Sequence, residues 1–143
     1  MVIKNFSADN VIYLELRTTP KANEYMTRRE YVETLIQAIE ENSVRFDIQV
    51  KLLLSVDRAQ SVEIAEETVN LALEFNKKYP DIVKGMDLSG SPYKGKFSDF
   101  LLVLTKAKES KLNLALHCAE ICNPLESGEM INYGFQRCGH GTF

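Results

Sequence analysis

In "KLNLALHCAEI", residues 111–121, an apolar run ends in His117, and Glu120 follows three residues later. An imidazole can bind a divalent metal such as zinc through a ring nitrogen. A carboxylate can relay protons to a substrate. Three residues apart on a regular strand, the two side chains would face opposite ways. Where a strand ends the chain turns, and both can then point into one mouth. The second of the two histidines, His140, stands in "RCGHGTF", residues 137–143. Polar residues close three further apolar runs: Glu15 and Arg17 with Thr18 and Thr19, Asp57 with Arg58, and Asp87 with Ser89 and Gly90. Taken singly, each is equally explained by helix capping or by satisfying buried backbone groups. Five such ends in succession point to one shared site.

The elements that would position these residues alternate along the chain. "NVIYLELRTTP" (10–20) reads as a strand, rich in β-branched and aromatic residues. "TRREYVETLIQAIEENS" (27–43) carries Tyr31, Val32, Leu35, Ile36 and Ile39 at helical spacing. "FDIQVKLLLSVD" (46–57) is a second strand. "SVEIAEETVNLALEFNKKYP" (61–80) is a second helix, with Ser61 as a possible N-cap and Pro80 closing it. Its Glu63, Glu66 and Glu67 suit the positive end of the helix dipole, and Lys77 and Lys78 the negative end. A strand over 82–90, a helix over 96–111 and a strand over 112–120 follow. A short helix over 126–135 precedes the start of a fifth strand at 137–143, and residues 2–10 read as the tail of a helix.

Strands alternating with helices of this length imply parallel pairing and crossover connections. In such α/β folds chemistry collects at the C-terminal ends of the strands, where all five polar groups fall. About four and a half βα units are present. A doubly wound sheet would usually finish with a covering helix. An incomplete (β/α)8 barrel, cut from a whole of ~250 residues, fits better. No second domain, linker or low-complexity segment is visible.

Composition narrows the function. With 45% hydrophobic and 26% charged residues, the 143-residue chain falls among soluble globular proteins. A net charge of -3 and a pI near 5.5 give no electrostatic argument for nucleic acid or an anionic membrane as partner. No apolar run approaches the ~20 residues of a membrane span, and "MVIKNFSADN" lacks the apolar core of a signal peptide. Three cysteines, an odd number, suit free thiols in a reducing compartment. A cytoplasmic location is the expectation.

"YLELRTTP", "SVDR", "GMDLSG", "LALHCAEI" and "RCGHGTF", in this order and at these intervals, resemble the successive strand ends of the adenosine/AMP deaminase family. That family is a metal-dependent (β/α)8 barrel. The likeness is greatest to its adenosine deaminase-like branch, associated with N6-methyl-AMP deamination, and it runs over nearly the whole chain. The resemblance implies hydrolytic deamination at purine C6 of a small-molecule nucleoside or nucleotide, with one zinc ion (Zn2+). His117 would be a zinc ligand and Glu120 the proton donor toward purine N1. His140 would orient the attacking water and help stabilise the developing oxyanion. Gly90 would let the purine approach the backbone, with a hydrogen bond toward N3. Asp57 would border the substrate pocket near the ribose-phosphate end, and Asp87 would support its strand end. The full-length protein would be a monomer.

That chemistry is coherent from below. Zinc lowers the pKa of a bound water from about 15.7 toward about 7, so a strong nucleophile exists at neutral pH. A carboxyl that keeps its proton, as a dry pocket favours, stabilises charge building on the ring nitrogen. The HxE and PCxxC signature of nucleobase deaminases is absent. The chain departs from the family pattern in two places. It has neither the HxH pair of the family's first strand nor the adjacent aspartates of its late strand. One imidazole falls short of the roughly three protein ligands of a catalytic zinc. The expectation is therefore a barrel fragment truncated at both ends, inactive in isolation, with two open strand edges.

Two rival readings use the same residues. His117, Cys118, Cys122, Cys138 and His140 could form a structural Cys/His zinc site, although CxxxC then CxH matches no common zinc-ribbon spacing. Against this, Cys118 reads as a small hydrophobe packed beside its strand. The other rival is a short non-catalytic product that keeps the purine-facing loops without the metal. "TRRE" (27–30) reads as a helix start with solvated charges. Lys94 and Lys96 of "SPYKGK" read as surface lysines, although they could meet a phosphate.

Overall fold

Five helices and five strands alternate in a computed structural model that describes residues 2–143. In chain order they are α1 (Val2–Ala8), β1 (Tyr13–Thr18), α2 (Arg28–Phe46), β2 (Gln49–Asp57), α3 (Val62–Lys78), β3 (Val83–Ser89), α4 (Phe97–Glu109), β4 (Asn113–Cys118), α5 (Pro124–Tyr133) and β5 (Arg137–His140). All four strand pairings are parallel, and the order across the sheet is β1-β2-β3-β4-β5. An order without reversal has no topological switch point. It is the order of successive barrel strands, not of a doubly wound sheet.

The two faces of the sheet differ. Along β2, Val50, Leu52, Leu54 and Val56 join the core that the helices cover, together with Phe75 of α3 and Phe100 and Leu104 of α4. The alternate residues Lys51, Leu53, Ser55 and Asp57 face the other way, as the two-residue period of a strand requires. On that second face the sheet curls until its two outer strands meet. Glu15 of β1 pairs with Arg137 of β5, and Arg17 of β1 hydrogen-bonds His117 of β4 at 3.1 Å. A flat five-stranded sheet would hold β1 and β4 about 14 Å apart at ~4.8 Å per strand. These contacts therefore require strong curvature, and the chain forms half of a barrel.

Most expected elements lie within one to three residues of their sequence limits. Helix α2 runs on past Ser43 to Phe46 and stops where Asp47 turns left-handed, at φ 48°. Its start is a capping box: Thr27 Oγ1 accepts from the Glu30 amide, and the Glu30 carboxylate accepts from the Thr27 amide. The "TRRE" arginines do more than meet solvent, since Arg28 pairs with Glu67 and Arg29 with Glu74, joining α2 to α3. Ser61 occupies the N-cap position of α3, but its side chain makes no capping bond.

Candidate active site

The C-terminal ends of the strands bring most of the sequence-marked residues to one mouth. His117, the last residue but one of β4, is anchored at Nδ1 by Asp87 Oδ1 at 2.8 Å and by the Leu88 carbonyl at 3.1 Å. Both partners are acceptors, so Nδ1 carries the proton. At Nε2 the neighbour is the Arg17 guanidinium, which can only donate, so Nε2 presents its lone pair. Three contacts thus agree on one tautomer.

Asp87 is 1% exposed and held in turn. Ser55 Oγ donates to its Oδ2 at 3.0 Å and lies 2.6 Å from Ser89 Oγ. Parallel register makes this possible, because Ser55 pairs with Asp87 and Asp57 with Ser89 across β2 and β3. Asp87 therefore supports the strand end, as expected, and specifically supports the imidazole. Sequence reading missed Ser55, whose signal is a hydroxyl inside the apolar run "LLLSV".

Just past β4, Ala119 takes a left-handed conformation, φ 55°, and His140 at the end of β5 does the same, φ 66°. Such backbone is uncommon for residues with a Cβ and collects at functional sites. Here the turn at Ala119 brings Glu120 back beside the mouth. Glu120 Oε1 lies 3.6 Å from His140 Nε2, and the rings of His117 and His140 are 5.3 Å apart between centroids. An imidazole lone pair, a carboxyl and a second imidazole therefore stand together.

Gly90 borders the same small cavity as His117 and Glu120. Its φ is +93°, and a Cβ there would lie 2.1 Å from Asp57 Oδ1. That oxygen also accepts from the Ala59 amide at 2.9 Å, so the Asp57 carboxylate folds onto its own corner beside Gly90. An open pocket of about 250 Å³ lies between Arg17, Thr18, Ser89 and His117. A larger groove, about 810 Å³, lies at the opposite end between α2 and the starts of β1 and β2. It contains none of the marked residues, and α/β sheets keep their chemistry at the other end.

A profile of the adenosine deaminase family matches residues 1–143, the whole chain. The chain belongs to the adenosine deaminase family. Within it the matched relatives lie in the adenosine deaminase-like, N6-methyl-AMP deaminase branch. An adenosine deaminase-like protein of Drosophila melanogaster is 52% identical over 144 residues, covering 100% of this chain and 43% of its own length. The N6-methyl-AMP deaminase of Bos taurus is 44% identical over 99% of this chain and 42% of its own. The crystal structure of the Arabidopsis N6-mAMP deaminase superposes with a TM-score of 0.90 at 44% identity, covering 99% of this chain and 44% of that one. Arabidopsis structures with GMP and with IMP match equally well. The chain thus spans about two fifths of the length of the relatives it matches.

Deaminase-family zinc can be tested against these side chains. His117, with Nδ1 held by Asp87 and an Nε2 lone pair that here accepts from Arg17, has the form of a metal ligand whose orientation is set by a carboxylate behind it, and an ion at Nε2 would take the place of the Arg17 hydrogen bond. It fits as one ligand. Among the described residues no three of His, Cys, Asp and Glu come together to hold an ion. The five-residue Cys/His site therefore does not assemble. Cys118 is 3% exposed and packs in the core, where burial and the neighbouring Cys138 thiol push its own thiol up. No helix among the described residues is long and apolar enough to cross a membrane.

Proposed function

We propose that the full-length protein hydrolytically deaminates purine nucleotides of the N6-methyl-AMP type at C6, with this chain supplying part of its active site. The observation that carries this reading is the anchored His117 beside Glu120 and His140. The chemistry named for its relatives and the GMP and IMP found with the Arabidopsis protein supply the substrate class.

His117 Nε2 would hold the zinc ion, with the remaining ligands coming from residues outside this sequence. When bound, zinc acts as a Lewis acid that makes a strong nucleophile of water at neutral pH. The chain's own residues do the rest. Glu120 delivers a proton to purine N1 as C6 is attacked. That relieves charge on the ring where it builds. His140 orients the attacking water and faces the oxyanion. Gly90 offers its backbone to the purine near N3, and its missing Cβ leaves the room that the Asp57 carboxylate fills beside that pocket. The ring then loses methylamine or ammonia from C6.

The test is Glu120→Gln in the full-length protein, with N6-methyl-AMP, AMP and adenosine as substrates. The expected result is a loss of turnover of about 10²–10⁴-fold with bound zinc retained. If the unaltered protein binds IMP but turns over none of the three, the deaminase reading fails and a non-catalytic purine-binding role replaces it.

A further inference from the structure

Behind the mouth lies a buried ion pair that the proposed chemistry does not use. Arg58 follows Asp57 at the end of β2, and its side chain is 6% exposed. Its Nη2 donates to a carboxylate oxygen of Glu126, on the first turn of α5, and to the Gly95 carbonyl at 3.3 Å. The same Glu126 oxygen accepts from the Phe97 amide at 2.7 Å, at the start of α4. The Arg58 backbone joins in, since its amide donates to the Ser89 carbonyl at 2.9 Å. Gly95, at φ +60°, packs so closely that a Cβ would lie 2.4 Å from the Arg58 carbonyl oxygen.

One residue therefore grips both loops that border the candidate site. The loop after β3 carries Gly90 and runs to Gly95 and Phe97. The segment after β4 carries Glu120 and runs to Glu126. Gly90, Glu120, Arg58 and Glu126 all border one small cavity. Glu126 is held charged there: burial works against the carboxylate, but the Arg58 guanidinium and the Phe97 amide outweigh it and keep its pKa low.

We propose that Arg58 and Glu126 are positioning residues that fix the Gly90 loop and the Glu120 loop at one separation, so that purine N3 and N1 are met together. The proposal rests on the deaminase reading for its catalytic meaning, but not for its structural content. A pair kept only for stability would spread its effect over the whole domain. Buried pairs of this kind often add little stability over apolar replacements, which makes a different reason for the pair worth testing. A positioning pair would act on two loops and on the chemical step.

The experiment compares full-length protein, unaltered and with Arg58→Met, by peptide-level hydrogen exchange and by steady-state kinetics well below the melting temperature. Arg58→Met with Glu126→Gln is the second variant. It removes the unpaired buried charge and leaves an acceptor for the Phe97 amide. In both variants, exchange should rise in residues 90–97 and 119–127 together while β2–β4 stay protected. Zinc content should be unchanged, and kcat should fall by about 10-fold or more, because small misplacements of reacting groups cost that much. The double variant should melt closer to the unaltered protein than the single one, without recovering kcat. Exchange that rises across the sheet, in one loop only, or nowhere overturns the proposal, as does a kcat that returns with stability. If the unaltered protein proves inactive on purine nucleotides while both loops loosen together, the functional reading fails and the structural clamp stands.

Discussion

Replacing Asp87 by Asn would keep the shape of the group behind His117 and change what Nδ1 meets. The carboxylate can only accept, whereas an amide can also donate, so one of the three contacts that set the imidazole tautomer would weaken and leave Leu88 and Arg17 to hold it. Chelator competition on full-length Asp87→Asn should show zinc affinity lower by roughly 10–100-fold, the range for losing such a supporting carboxylate. Unchanged affinity would reduce Asp87 to a strand-end support. Nitrogen chemical shifts of the His117 ring give a second, metal-independent readout. At this scale the sequence was only half legible. The polar strand ends could be read from residue order, but their pairing joins residues 30 and 100 apart, and no local pattern encodes that. Ser55 escaped notice and Arg58 read only as part of a polar strand end for the same reason: each gains its meaning from a partner on another strand or helix.

Helices and strands test the argument differently, since their stability depends on caps, packing and charge. Thr27→Ala removes the side-chain half of the α2 capping box and should cost about 1 kcal/mol. In a domain of this size that lowers Tm by roughly 2–4 °C, readable in a thermal melt. Glu126 ties α5 to α4, and its low pKa gives a pH signature. Its folded pKa lies below the unfolded value of ~4.3. Its stabilisation is therefore complete above that value and is lost as pH falls through the folded one. Melts between neutral and acid pH should show Glu126→Gln with a shallower acid loss than the unaltered chain. Element order was legible because the helix stripes and apolar strand runs are local signals. Ends were less so. Helix α2 overran Ser43 because nothing in "SVRF" stops a helix, and the turn comes only at Asp47.

Across the whole molecule, β1 and β5 each pair on one side only among the described residues. Exposed Ile12 precedes β1, and Tyr13 begins it half exposed. Unpaired edges of this kind recruit further strands. The 143-residue chain alone should therefore associate with rising concentration in size-exclusion chromatography, and a concentration-independent monomer would contradict this. The curl itself does not depend on the Glu15–Arg137 pair. Arg137 is 58% exposed, and pairs so open to water contribute about 0–1 kcal/mol. Glu15→Gln should leave the melt nearly unchanged. That pair still has a consequence in time. Glu15 and Arg137 are 122 residues apart. At synthesis rates of about 5–20 residues per second, Glu15 is joined to the chain on the order of 6–25 seconds before its partner exists. Through that interval the inner face of β1 stays charged and unmatched, and Arg17 waits nearly as long for His117. The nascent chain thus cannot set the His117 tautomer until most of the sheet has been made.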